Sequence, residues 1–428
     1  MRVLFVVPYV PSLIRVRPFQ FVQGLARRGH DITLAAPSRA GEERDGLQIQ
    51  SGGRIRLVTE RLGALRCLWN CVRAVPSRLP FQAVYAWNPV LSQMIATEVR
   101  HQQYDVIHVE HLRGAVYGTR LIRERDSLAH ACQARVPIVW DSVDCISYLF
   151  RQAQRHSLSL ATRLLTRIEL PRTEPYEAWL TTQFDRVLVT SPADRRALQQ
   201  LCESHRTPLT SKLAVLCNGV DLDYFHPTNV RRDPATLVFV GKMSYHANVT
   251  AVRYLVEDVM PLIWAVAPEV KLLIVGKDPP NAVKSLETRD TGGTSAHSAP
   301  RVIVTGTVRD VRPFLWQATA AVAPLIYGAG VQNKVLEAMA CGTPVVATRK
   351  AVSSLNVRAG EDFLLADTPT ELAQSVLTLL SNKHLQHRLA QNGLRYVSAF
   401  HSWDTVTASL ETIYAEVIKA RAEQYASV

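Results

Sequence analysis

Ten short apolar runs, separated by stretches with a helical pattern, constrain the fold of this chain more than any other feature. They are rich in β-branched residues and show no regular alternation with polar ones: RVLFVVPY, DITLAAP, YDVIHVE, VPIVWDSV, DRVLVTS, ATLVFVG, VKLLIVG, RVIVTGTV, AAVAPL and TPVVAT. A strand that is apolar on both faces is buried on both, as in a parallel sheet covered by helices on each side. The sequence therefore predicts an α/β fold with doubly wound parallel sheets.

A polar linker divides these runs into two sets. The strand-like run that ends near Cys217 is followed by Asn218-Gly219 and Pro227 before the strands resume. The length of 428 residues also exceeds what one core usually serves. We predict two Rossmann-like domains and one returning helix, at residues 1–215, 216–400 and 401–428. Ligands of such sheets bind at the carboxyl ends of the strands, so we expect the ligand in a cleft between the domains.

The net charge of +12 is concentrated in the first half of the chain. Residues 1–211 contain 28 arginines, no lysine and 18 acidic residues. Two arginine-rich apolar stretches, residues 54–79 and 151–172, are typical either of a helix on an anionic membrane surface or of a solvated amphipathic helix. Aromatic residues are not interleaved with these charges, which disfavours nucleic acid as a partner.

Cysteine usage and hydropathy bear on the compartment. The seven cysteines are scattered and form no CxxC pair, which disfavours disulfides and a metal site and favours a reducing cytoplasm. No apolar run approaches the roughly 18 residues that span a bilayer. We expect a cytoplasmic protein, with a peripheral position at the inner face of the membrane as the open alternative.

The stretch GAGVQNKVLEAMACGTPVVAT, residues 328–348, predicts a glycine turn, a helix and a following strand. The free amides and the dipole at such a helix start bind anions. Lys334 falls in the first turn, where the dipole disfavours a cation unless an anion offsets it. Glu337 lies one turn further along and is placed to accept hydrogen bonds from hydroxyl groups. The alternative is a simple turn followed by a solvated Glu337.

The segment KVLEAMACGTPVVAT resembles the signature of the retaining glycosyltransferases of family 4, which have the GT-B fold. Further segments resemble the family in the order it requires: LARRGHDITLAAP, YDVIHVEH, FDRVLVTSPADRRAL, LAVLCNGVDLDYFHP, LVFVGKMSYHANVTAVRYL, VKLLIVGKDP, VIVTGTVRDVRPFL and FHSW. The resemblance covers nearly the whole chain. It implies two Rossmann-like domains that face each other across a cleft.

The resemblance also implies a donor site in the second domain. The basic residue after FVG grips the donor diphosphate in the family and is Lys242 here, while Glu337 corresponds to the glutamate that binds the ribose. The implied donor-binding residues are Lys242, Asn248, Gly330, Val331, Gln332, Asn333, Lys334 and Glu337. Two departures stand out: members often carry a second lysine where this chain has Asn248, and a sugar-contacting glutamate where it has Ala329.

In the first domain the segment DVIHVEHLRG ends a predicted strand. Many relatives place a histidine near the anomeric carbon two residues after the first one, and this chain has Glu110 there and His111 beside it. We predict catalytic roles for Glu110 and His111 together with Lys242, and a buried structural role for His108.

Four residues near predicted strand ends are candidates for binding the acceptor: Arg15, Arg17, Asp141 and Asp144. The arginines stand where the family usually has a glycine pair after the first strand, and guanidinium groups suit phosphate. The aspartates suit acceptor hydroxyls, with loop capping as an open alternative.

The resemblance implies a retaining glycosyltransferase that uses a nucleotide-diphosphate sugar as co-substrate, without a metal or a cofactor, in polysaccharide or glycolipid biosynthesis. Carbohydrate, lipid-linked and small-molecule acceptors all fit. Two alternatives remain open: a GT-B sugar-nucleotide epimerase, and an inactive homologue that only binds nucleotide sugars. A Rossmann dehydrogenase is disfavoured because no GxGxxG follows the first strand.

Overall fold

The computed structural model describes residues 1–12, 16–39, 53–127, 136–156, 160–208, 212–289, 300–328 and 331–426. The chain forms two compact units. The first comprises Met1–Phe150, Arg167–Cys217 and Trp403–Val428, and the second Arg151–Thr166 and Asn218–Ser402. Compared with the predicted domains, the main boundary lies at Cys217 rather than at 215, and a segment of the first half groups with the second unit.

The first unit contains, within the described residues, a seven-stranded parallel sheet of order β3-β2-β1-β4-β5-β6-β7. Its strands are β1 Arg2–Val6, β2 Asp31–Ser38, β3 Ile55–Arg61, β4 Val106–Glu110, β5 Ile138–Val143, β6 Arg186–Val189 and β7 Leu213–Val215. Successive residues of β1 enter different apolar clusters, Leu4 and Val6 one, Val3 and Phe5 the other. Both faces of the sheet are therefore buried, which is why the strands read as continuous apolar runs.

Helices cover the two faces of this sheet. They are α1 Val16–Arg27, α2 Ala64–Ala74, α3 Phe81–Tyr85, α4 Pro89–His101, α5 His111–Ser127, α6 Ile146–His156, α7 Leu160–Gln183, α8 Pro192–Ser204 and, at the end of the chain, α17 Trp403–Ala426. Residues 151–166 of α6 and α7 group with the second unit. Helix α17 adds Trp403, Leu410 and Tyr414 to the cluster that contains Phe5 and Phe21, so the last helix completes the core on one face.

The second unit contains, within the described residues, a six-stranded parallel sheet of order β10-β9-β8-β11-β12-β13. Its strands are β8 Asp233–Val240, β9 Lys271–Val275, β10 Val302–Gly306, β11 Ala318–Ala323, β12 Val345–Ala347 and β13 Leu364–Leu365. Its helical elements are α9 His246–Tyr254, a π-helical segment Leu255–Val259, α10 Met260–Trp264, α11 Asn281–Arg289, α12 Arg312–Gln317, α13 Asn333–Ala340, α14 Arg349–Val352, α15 Pro369–Ser381 and α16 Lys383–Phe400. The prediction of two Rossmann-like parallel-sheet domains is confirmed.

A close backbone approach fixes the loop after β8. The amide of Gly241 donates to the Val275 carbonyl at 3.0 Å. A Cβ atom at Gly276 would lie 1.8 Å from the Gly241 carbonyl oxygen, so only glycine fits there. This contact sets the path of the chain into Lys242.

Candidate functional site

Polar side chains end two neighbouring strands of the first unit. Strands β4 and β5 pair in a register that places Glu110 beside Asp141. Parallel strands end at the same edge, so the apolar runs before each residue bring the two carboxyl groups together. Both side chains are almost fully buried, at 1% and 0% exposure.

The carboxyl group of Glu110 sits in a nearly closed environment. Its Oε1 accepts a hydrogen bond from the Tyr9 hydroxyl at 3.1 Å, while its buried Oε2 has no hydrogen-bond partner among the described residues. Burial, and secondarily the charge of Asp141, raise the pKa of Glu110 to about 8, against the opposing effects of Arg17 and Tyr9. Glu110 is therefore mostly protonated at neutral pH and can donate a hydrogen bond.

His111 begins helix α5 directly after the strand. Its backbone has a φ of 65°, in the left-handed region that non-glycine residues rarely adopt. Its Nδ1 accepts from the Arg113 amide at 3.2 Å, which leaves the ring proton on Nε2. Burial lowers the pKa of His111 to about 3, and Arg113 adds to the effect. His111 thus presents a neutral imidazole with an Nε2–H donor.

Arg17 and Asp141 form a buried ion pair. The Arg17 Nε donates to Asp141 Oδ2 at 2.8 Å, and other guanidinium nitrogens donate to the carbonyls of Leu216 and Cys217 at 3.0 and 3.3 Å. The amide of Val143 donates to Asp141 Oδ1 at 3.0 Å. This gives Asp141 the loop-capping role considered from the sequence, and contact of either residue with an acceptor stays a prediction.

Asp144 lies in the loop after β5 and is half-buried. The Thr190 hydroxyl donates to its Oδ1 at 3.3 Å. Burial raises the pKa of Asp144 to about 7, and Asp194 adds to the rise. Arg15, which was also predicted to bind the acceptor, lies outside the described residues. Contacts of Asp144 and Arg15 with an acceptor therefore stay predictions.

His108 is fully buried, as predicted. Its ring stacks on Phe5 with centroids 4.1 Å apart, and its Nδ1 lies 2.8 Å from the Tyr414 hydroxyl of helix α17. Its Nε2 is 3.8 Å from Asp141 Oδ2, and burial, with a smaller contribution from the charge of Arg17, lowers the pKa of His108 well below its usual value. A neutral structural histidine joins the last helix to strand β4.

In the second unit, Asn248 bridges the loop after β8 and the start of helix α13. Its Oδ1 accepts from the Lys334 ammonium at 2.7 Å, and its Nδ2 donates to the Lys242 carbonyl at 2.9 Å. Asn248 itself is 4% exposed. The residue that replaces the family's second lysine therefore holds Lys334 against the loop that carries Lys242.

The charged groups of α13 are shifted by desolvation. Loss of solvent lowers the pKa of Lys334 to about 8, against the raising effect of Glu337. Loss of solvent likewise raises the pKa of Glu337 to about 7, against the lowering effect of Lys334. The Lys334 ammonium also lies 5.1 Å from the Phe239 ring centroid. The exposed Lys242 side chain has no ion-pair partner in the described part of the chain.

The start of α13 is shaped by its neighbours. Gln332 is the N-cap residue, with a β-region backbone and no capping hydrogen bond from its side chain. Asn333 Oδ1 accepts from Asn218 Nδ2 at 3.2 Å, and Val331 is 8% exposed. Gly330, predicted to bind the donor, and Ala329, where the family has a glutamate, lie outside the described residues.

Three contacts were missed by reasoning from the sequence. Tyr9 follows β1 at the carboxyl edge of the sheet. Its position directly after an apolar run could have indicated that it lies near Glu110. Asn218 belongs to the NGVD segment quoted as a boundary. His246, at the start of α9, lies 2.7 Å from the Tyr327 hydroxyl, and no local pattern marked that pair.

Neither a metal cluster nor a membrane-spanning helix is found among the described residues. No group of three or more His, Cys, Asp or Glu side chains there is arranged to hold a metal ion. No helix there is both long enough and apolar enough to cross a bilayer.

Solved structures define the class of fold. Sucrose-phosphate synthase from Thermosynechococcus elongatus superposes with a TM-score of 0.69 at 18% identity, covering 98% of this chain and 99% of that one. HepE of Anabaena, solved in complex with UDP and glucose, gives a TM-score of 0.64 at 16% identity over 97% of this chain and 100% of its own. The protein has the GT-B fold, built from two Rossmann-like domains.

Sequence comparison then gives the family. The family described as "Glycosyltransferase Family 4" matches residues 16–224, and "Glycosyl transferases group 1" matches residues 234–382. The chain belongs to the family 4, group 1 glycosyltransferases.

Curated relatives match part of the chain. D-inositol 3-phosphate glycosyltransferase of Corynebacterium glutamicum is 27% identical over 231 residues, 48% of this chain and 52% of that protein. Phosphatidyl-myo-inositol mannosyltransferase of Mycobacterium leprae is 27% identical over 217 residues, 49% of this chain and 55% of that protein. The matches span about half the length of these relatives.

Proposed function

We propose that the protein transfers a sugar from a nucleotide-diphosphate donor to an acceptor hydroxyl with retention of the anomeric configuration. The observation that carries this proposal is the bridge through Asn248. It places Lys334, at the start of α13, beside the loop of Lys242. The Lys334 ammonium and the backbone of Lys242 are thereby held together at a helix start without a side-chain cap.

This arrangement suits a diphosphate. The amides at the helix start, the ammonium of Lys334 and that of Lys242 would balance the negative charge that builds on the leaving group. Stabilising charge where it develops is normally a large part of catalysis. Glu337 lies one turn along α13, where its carboxyl group would bind the ribose hydroxyls. No metal ion or cofactor is required, because these groups supply the positive charge.

In the proposed reaction, the bond between the anomeric carbon and the diphosphate oxygen breaks while the acceptor oxygen bonds to the same face of that carbon. The acceptor proton passes to the departing phosphate oxygen, so no protein base is needed. In the first unit, we assign the acceptor to the region of His111 and Glu110. The protonated Glu110 and the Nε2–H of His111 would orient hydroxyl oxygens there as hydrogen-bond donors.

Named relatives suggest the setting. HepE was solved with UDP and with UDP-glucose, and two curated relatives are named for inositol phosphate and phosphatidylinositol acceptors. We infer a UDP-sugar donor and a cytoplasmic role in glycolipid or polysaccharide biosynthesis.

The first test is a thermal-shift screen with UDP, GDP, ADP and dTDP and their sugars. A nucleotide at about 100 times its Kd stabilises the folded state by about 2.7 kcal/mol. One nucleotide should raise the melting temperature clearly above the others. If none does, the proposal fails.

The second test replaces Lys242 with alanine and measures nucleoside diphosphate release from the selected sugar nucleotide with a panel of sugar and lipid acceptors. We expect kcat/KM to fall about 100-fold or more, as for loss of one donor to a developing charge. Asn248→Ala, which frees Lys334, should cost about tenfold. Lys271→Ala is the matched control. This exposed lysine begins β9, so it lies at the amino ends of the strands, whereas Lys242 follows the carboxyl end of β8.

The product separates the alternatives. Retained configuration at the new glycosidic bond, read by NMR, and full activity in EDTA are expected. Conversion of the sugar nucleotide without acceptor would instead identify an epimerase. Binding without any turnover would identify an inactive homologue.

A further inference from the structure

Helix α2 turns its apolar side outward. Its exposed large side chains are Leu65, Leu68, Trp69 and Val72, at 84%, 63%, 54% and 51% exposure. Their spacing of three and four residues makes one continuous stripe along the helix. An ordinary amphipathic helix would bury this stripe.

The inward side of α2 explains why it is not buried. That side contributes Cys67, Asn70 and Ala74. The Asn70 side chain donates to the Trp87 carbonyl at 2.8 Å. A polar contact thus fixes the rotation of α2 with the apolar stripe outside.

Arg172 of helix α7 also binds the end of α2. Its guanidinium donates to the carbonyls of Ala74, Val75 and Ser77 at 3.0 to 3.1 Å, and it stacks over the Phe81 ring at 4.5 Å. The carbonyls that a helix end leaves unpaired are therefore satisfied by one cation. The contacts of Arg172 therefore fix the position of α2 while its apolar stripe faces outward.

The charged residues of the segment that carries the stripe have one sign. Between Ala64 and Pro80 the charged residues are Arg66, Arg73 and Arg78, all exposed, and the segment contains no acidic residue. Val75 and Leu79 extend the exposed apolar side beyond the helix end, at 57% and 40%. Helix α7 exposes a second stripe of Leu160, Leu164, Leu165 and Ile168.

From these observations we propose that α2 docks on an anionic lipid bilayer, with the stripe in the acyl boundary and the arginines among the headgroups. Apolar side chains whose own segment carries only cations match a surface that is apolar inside and negative outside. A second copy of the chain is a poorer partner, because a symmetric contact would bring the same arginines together. This inference goes beyond the sugar transfer proposed above and does not depend on it.

The test is flotation of the full chain with phosphatidylcholine vesicles, with and without phosphatidylglycerol. The protein should float with anionic vesicles and largely lose binding in high salt, since screening weakens attraction to headgroups. Leu68→Glu and Trp69→Glu should each weaken partitioning about tenfold or more. Arg66→Ala with Arg73→Ala should weaken binding to anionic vesicles and leave binding to neutral ones unchanged.

Val266→Glu is the matched control, because Val266 is 70% exposed in the second unit. The melting temperature should be close to the wild-type value in every variant, which shows that the fold survives. Absence of binding to anionic vesicles, or equal binding by Leu68→Glu and the control, would overturn the proposal. A wild-type dimer that Leu68→Glu converts to a monomer would also overturn it, since a second copy would then cover the stripe.

Discussion

At the scale of single residues, Glu110 makes the stability of the first unit depend on pH. Its pKa rises from 4.5 to about 8 on folding, chiefly through burial. The folded state therefore holds the proton more tightly than the unfolded one. Stability is lost as pH increases through the interval from about 4.5 to 8, and the loss is complete above that.

Glu110→Gln, which keeps the shape and cannot ionise, should remove this loss. Its advantage in free energy of unfolding should be near zero at pH 4.5 and grow with pH. It reaches about 5 kcal/mol at most, because one pKa unit corresponds to about 1.4 kcal/mol. Thermal melting between pH 5 and 9 measures it. Glu124→Gln, at a partly exposed position of α5, is the control, and an equal trend in both variants would refute the burial argument.

At the scale of elements, the crossing of two loops at Gly276 sets the position of Lys242. Gly276→Ala would place a Cβ 1.8 Å from the Gly241 carbonyl oxygen. One loop must then move. We expect the free energy of unfolding to fall by at least about 2 kcal/mol, and the nucleotide-induced thermal shift to disappear.

Gly114→Ala provides the comparison for this variant. Gly114 lies within helix α5, and a Cβ there would meet Val109 of strand β4 and the Val6 carbonyl oxygen at 3.6 Å, both ordinary van der Waals distances. That variant should melt at or slightly above the wild-type temperature because alanine favours helix. If Gly276→Ala melts equally high, the loop crossing does not constrain the site.

Elements also show how far the sequence predicts the structure. Apolar runs placed Glu110 and Asp141 at one sheet edge, because strand and edge follow from local pattern. The Arg17–Asp141 pair and the Lys334–Asn248 contact join residues 124 and 86 positions apart, and no local pattern encodes such pairings. The sequence predicted an amphipathic helix in the stretch 54–79. Residues 64–74 form one, α2, whereas residues 55–61 form strand β3, which corrects that part of the prediction. The sequence did not predict which face of α2 is buried, since Asn70 and Arg172 decide that.

At the scale of the whole molecule, the last helix is required for the first unit. A chain ending at Ser402 lacks Trp403, Leu410 and Tyr414, and so opens one face of the first sheet. We expect the first unit to lose cooperative melting, while the second keeps its nucleotide-induced shift. Calorimetry with and without nucleotide separates the two transitions.

A chain ending at Ile418 is the control for this truncation. It keeps the buried residues of α17 and loses mainly exposed ones. Its melting should stay close to that of the full chain. Cooperative melting of the first unit without residues 403–428 would contradict the role given to the helix.

The order in which the chain crosses between its units has a consequence for synthesis. Apart from residues 151–166, the second unit lies between Cys217 and Trp403 of the first, so most of it is an insertion within the first unit. Domains usually fold in the order in which they leave the ribosome. Here we expect that order to be reversed, because residues 218–402 leave the ribosome before helix α17, which closes the first unit. We therefore expect the second unit to fold first, while one apolar face of the nascent first sheet is still uncovered.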